Sequence, residues 1–163
     1  MNESRISIRR FAEKRAATAA IVAGLLNALI VHFSLSELSE VPIFALVAEN
    51  WKESLVGALI PRAALISVLV TFVTVWATVR THAAGKLRAP IDAGAPWVGK
   101  TLKIGLTRSL YGILIVVAIS LVLRALLPTY TAVSTGWVTV FVTLFASALA
   151  YVMAYRAVLK TVL

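Results

Sequence analysis

At 163 residues the chain has the length of one domain. Its composition, 60% hydrophobic and 14% charged, departs from the roughly 45–50% and about 25% of a soluble domain, and a water-soluble fold has nowhere to bury that much apolar surface. The net charge of +9 does not point to nucleic acid, because the basic residues fall between long apolar runs rather than on one solvated face.

The chain has no cysteine, which removes disulfides, thiol catalysis and thiolate metal sites. His32 and His82 are far apart in the chain and expected at opposite membrane faces, so neither a metal site nor a cofactor is expected. Catalysis by a lipid-handling membrane enzyme needs an acid, base, nucleophile or metal near the interface. The two histidines and isolated Ser and Thr residues form no such arrangement, so the chain reads as a non-enzyme.

Taken in order, residues 1–15 form a basic arm with Arg5, Arg9, Arg10, Lys14 and Arg15. The Arg9-Arg10 pair suggests a twin-arginine leader, but Phe11 follows it directly. The apolar run 16–36 is longer than a signal-peptide core, with no small-residue cleavage site before Glu37, and so reads as an uncleaved first span. The second span is expected over 61–79, the third over 105–127 and the fourth over 132–157. Each is near the ~20 residues a bilayer core requires, and none contains Asp, Glu or Lys.

Between spans one and two, Ile43, Leu46, Val47, Trp51, Leu55 and Leu59 recur at helical spacing, with Glu49, Lys52 and Glu53 elsewhere. That pattern predicts an interfacial amphipathic helix over 41–58, with Pro61 then opening span two. The loop 80–104 is basic and broken by Pro90, Gly94 and Pro96, so it is expected to lie along the membrane face without a long helix. Leu127–Thr131 reads as a tight turn that pairs spans three and four. Residues 158–163 are a short tail. The expected fold is therefore an all-α integral membrane protein of four transmembrane helices arranged as two antiparallel hairpins.

Of the 16 Lys and Arg residues, all but Lys52, Arg62 and Arg124 fall on the side of the termini. The positive-inside rule then predicts an N-in, C-in orientation, with a bacterial cytoplasmic (inner) membrane as the expected location.

Asn27 sits mid-span on a face shared with Ala16, Ala20, Ala23 and Gly24. It reads as an interhelical amide bond or, alternatively, a substrate-binding amide. His32 lies around the helix from it, at the interface. Arg62 and Arg124, both expected at the outer side, serve as interfacial anchors or meet an anion or the acids of the surface helix. In span two, Ser67, Thr71, Thr74 and Thr78 follow an i, i+4, i+7, i+11 pattern and fall within about 60° around the axis. Span four carries Thr139, Thr143 and Ser147 on one broad face with Ala146, Ala150 and Ala154. Such stripes line a hydrated path or form a packing seam, since hydroxyls can bond back to the i−4 carbonyl while helices approach closely.

Two hydroxyl-bearing faces in so small a bundle favour a transport or permeation unit. Four helices seldom enclose a path alone, so it is expected to act as a homo-oligomer. The alternative is a non-catalytic accessory or scaffold subunit of a larger membrane complex. In either case the lipid bilayer is the expected partner, and nucleic acid is not.

Overall fold

The computed structural model describes residues 7–35, 37–44, 54–87, 97–128 and 131–162. Its elements are α1 (Ile8–Leu35), β1 (Glu40–Pro42), α2 (Leu55–Ala83), α3 (Trp97–Leu126), β2 (Ala132–Ser134) and α4 (Thr135–Val162). All four helices are long and apolar enough to cross a membrane. At 28 to 30 residues each measures about 42–45 Å, which exceeds the hydrocarbon core and matches a bilayer with its headgroups.

The helices extend beyond the expected spans because polar residues at their ends continue the same hydrogen-bond ladder. α1 begins at Ile8 within the basic arm, where Arg9 Nε meets Glu13 Oε1 at 3.2 Å one turn on. α3 begins at Trp97, inside the region expected to be irregular. Pro61 does not open α2. The helix starts six residues earlier, with the Ser54 hydroxyl accepting from the Gly57 amide at 3.1 Å, an N-cap that satisfies an otherwise unbonded donor. Pro61 lies in the second turn.

The expected surface helix over 41–58 is wrong at both ends. Val41 and Pro42 belong to β1, and residues from Leu55 onward are already α2; 45–53, with Trp51, fall outside the described residues. β1 pairs antiparallel with β2 in the register Glu40↔Ser134, Val41↔Val133, Pro42↔Ala132. The ribbon is extended by Ile43 N donating to Thr131 O at 3.1 Å and Thr135 N donating to Ser39 O at 3.2 Å, while the Thr135 hydroxyl donates to Leu38 O. It ties the segment after α1 to the start of α4. Apolar residues at strand-compatible spacing do not distinguish the two periods in so short a run.

The expected hairpins are also not what packs. α1 lies along α4, and α2 lies along α3 and α4, whereas α1 barely touches α2 and α3 barely touches α4. α4 is thus the shared element, and the buried core runs through it from Val138 to Met153, joined by Ala23, Val31 and Leu35 of α1 and Leu59, Ala63 and Ile66 of α2. The ribbon explains part of this arrangement, since it holds the beginning of α4 at the end of α1. At the opposite end Gly85, at φ +69°, turns the chain after α2 in a conformation that favours glycine. Leu87 then packs with Phe11, Ala12 and Val158 in a second small core.

Much of the outward-facing surface of the described helices is apolar. Phe33, Leu126 and Trp137 are among the most exposed side chains, each above 70%, which suits hydrocarbon and would not persist in water.

Candidate functional site

The polar stripe of α2 is closed. Ser67, Thr71 and Thr78 are 0% exposed and Thr74 is 5%. Ser67 Oγ donates to Ala63 O at 2.7 Å and Thr78 Oγ1 to Thr74 O at 2.7 Å, each one turn back on its own helix. Thr71 Oγ1 is buried with no hydrogen-bond partner. Ser67 faces α3, for a Cβ placed on Gly112 would lie 2.9 Å from Ser67 Oγ and 3.4 Å from Ala63 O.

The polar face of α4 meets a different neighbour. Ser147 Oγ occupies the space that a Cβ on Gly24 of α1 would need, and Thr143 Cγ2 stands 3.6 Å from that point. Thr143 Oγ1 is buried without a partner, and Thr139 Oγ1 donates to Thr135 O at 2.9 Å. Ser67 faces α3, Thr74 borders the space between α1 and α2, and Ser147 faces α1, so these contacts do not bring the two stripes onto a common channel wall.

Asn27 is buried, and its Nδ2 donates to Ala23 O at 2.9 Å. The expected interhelical bond is therefore replaced by one on its own helix. Asn27→Leu should change bundle stability by less than about 0.6 kcal/mol, the average of interhelical bonds in a membrane bundle, as measured by denaturant unfolding in detergent. A loss well above that would reveal a partner on another helix.

The basic residues divide in a way the sequence does not show. Arg80 is exposed with its guanidinium 5.3 Å from the Trp76 ring centroid. Arg108 is buried, and Nη1 donates to Met153 O of α4 at 2.7 Å, a link between α3 and α4. Nothing in the sequence marks Arg108 as interhelical. For Arg62 and Arg124, the acids of the expected surface helix, Glu49 and Glu53, lie outside the described residues.

The feature missed altogether is a cleft. Because α1 and α2 both pack on α4 while scarcely touching each other, a cavity of about 540 Å³ lies between them. Its α1 wall includes Ala19, Val22 and Leu26, and its α2 wall Leu65, Leu69 and Val73. Arg15 stands toward one end and Arg62 toward the other. Arg15 is engaged, with its guanidinium 5.2 Å from the Phe11 ring centroid. Arg62 differs: its Nη1 is buried and has no hydrogen-bond partner among the described residues.

Compared with family models, curated proteins and solved structures, the chain matches none. The α2 hydroxyls are buried, and the lateral cleft is lined mainly by hydrocarbon.

Proposed function

We propose that the chain is a non-catalytic accessory or scaffold subunit of a larger membrane complex, held in a bacterial cytoplasmic membrane by four spans with both termini inside. The observation that carries this reading is the burial of the α2 hydroxyls, together with the close approach of Ser147 on α4 to Gly24 on α1. These side chains are used in close helix contact and in bonds to their own backbone, which is how small and hydroxylated residues act at helix interfaces in lipid. The cavity between α1 and α2 is predominantly apolar. A subunit of this kind acts through what it binds within the plane of the membrane. The crowding of basic residues onto one side supports the orientation.

The native chain lacks cysteine, so single cysteines give a clean test against the permeation role. Cysteines at Ser67 and Thr71 should remain unlabelled by a small membrane-impermeant thiol reagent in native membranes, because the reactive thiolate needs water around it. Labelling of these positions, with a cysteine at Phe72, exposed away from the cleft, unreactive, would restore the permeation reading.

A further inference from the structure

We infer that the α1–α2 cleft is a binding site for one acyl chain of an anionic phospholipid, with the lipid phosphate on Arg62. The inference rests on the membrane placement proposed above and is independent of any partner protein.

Size selects the occupant. An acyl chain of roughly 16 to 18 carbons, at about 30 Å³ each, the share of a water molecule in the liquid, needs about 500 Å³. The cleft provides about 540 Å³. A partner helix about 10 Å across is wider than one acyl chain and would leave the depth of so narrow a cleft unfilled. Length agrees as well. The α2 wall runs from Arg62 to Ala77, about 22 Å of helix, which exceeds the ~15 Å depth of one leaflet.

Chemistry selects the headgroup. Thr18 and Asn27 on the walls are satisfied on their own helix, Thr18 donating to Lys14 O at 3.0 Å and Asn27 to Ala23 O at 2.9 Å, and Thr74 adds a hydroxyl of little exposure. Arg62 is the cation at the other end from Arg15, partly buried, with an Nη1 that has no hydrogen-bond partner among the described residues. A partly buried guanidinium attracts a counter-charge, and its planar fork matches the oxygens of a phosphate. The lipid phosphate supplies that counter-charge while its chain fills the apolar walls. The geometry accounts for both the gap and the unbonded Nη1 with one ligand.

Native mass spectrometry of the full chain in detergent tests this, with phosphatidylglycerol and phosphatidylcholine supplied in turn. The wild type should retain one phosphatidylglycerol at least about tenfold more tightly than phosphatidylcholine, because both lipids carry the phosphate but the choline ammonium of the second sets a cation against Arg62. Arg62→Gln should abolish that preference, Arg62→Lys should keep part of it, and Arg124→Gln should leave it unchanged. Val22 and Leu69 are 50% and 53% exposed on the cleft walls, so Val22→Trp with Leu69→Trp fills the space without displacing packed side chains and should remove both lipids while thermal unfolding stays cooperative. Excess inorganic phosphate should not displace the lipid.

A preference that survives Arg62→Gln, or falls equally with Arg124→Gln, overturns the site. So does displacement by phosphate alone. A photo-crosslinker at Leu69 that captures a polypeptide in place of lipid in native membranes would assign the cleft to a partner helix and overturn it too. Failure of the membrane reading shows up separately, as release of the chain from membranes by alkaline carbonate.

Discussion

Gly24→Leu should separate α1 from α4 and destabilise the bundle by about 3 kcal/mol or more, the upper part of the range for overpacking a tight contact. Along its length α1 has one extensive partner, α4, and the approach is close because both surfaces are built from small residues. Ala16 and Ala23 of α1 are buried, as are Ala146, Ala150, Ala154 and Ala157 of α4. A Cβ at residue 24 already collides with the Ser147 hydroxyl, so a branched side chain must force the backbones apart. In hydrocarbon the loss has no hydrophobic compensation, since lipid tails are as apolar as leucine. Denaturant unfolding in detergent provides the measurement. A double-mutant cycle sharpens it: Ser147→Gly should rescue much of the cost of Gly24→Ala, because residues in contact couple and distant ones do not. Independent, additive effects would mean that α1 and α4 do not pack at this point.

Gly112→Leu should detach α3 by a similar amount, about 3 kcal/mol. α3 has α2 as its one extensive partner, and the new side chain would meet Ser67 Oγ at 2.9 Å and the Ala63 carbonyl at 3.4 Å. The second obstacle is backbone and cannot rotate away. The contrasting variant is Thr71→Val. Thr71 is 0% exposed with no partner for its hydroxyl, so an isosteric methyl forfeits no hydrogen bond and avoids burying a polar group. Stability should stay within about 0.5 kcal/mol of wild type or rise. The pair distinguishes a dry seam from a hydrated wall by unfolding alone: a hydrated wall would accept bulk at Gly112 and lose water contacts with Thr71→Val.

The existence of four membrane-length apolar helices was legible in the sequence because the signal is length and the absence of acids, both local properties. The partners of those helices were not. α2 and α3 are apolar nearly all round, so no face stands out as the buried one. A short connection between α3 and α4 suggested a hairpin, yet the helices it joins pack elsewhere, because the β1–β2 ribbon draws the start of α4 to the end of α1. Three-residue strands lie below the length at which alternation can be read.

By itself the sequence determined the class of molecule, its apolar helices, the lack of thiol chemistry and the positions of the hydroxyl stripes, all properties carried by single segments. Only the tertiary structure decided that Ser67 faces Gly112 and Ser147 faces Gly24, that Arg108 bonds across to α4, and that Arg62 borders an apolar cleft. Each of these depends on which helix stands next to which. Residues distant in sequence set that choice by the close approach of small side chains, a short-range fit that periodicity within one helix does not encode.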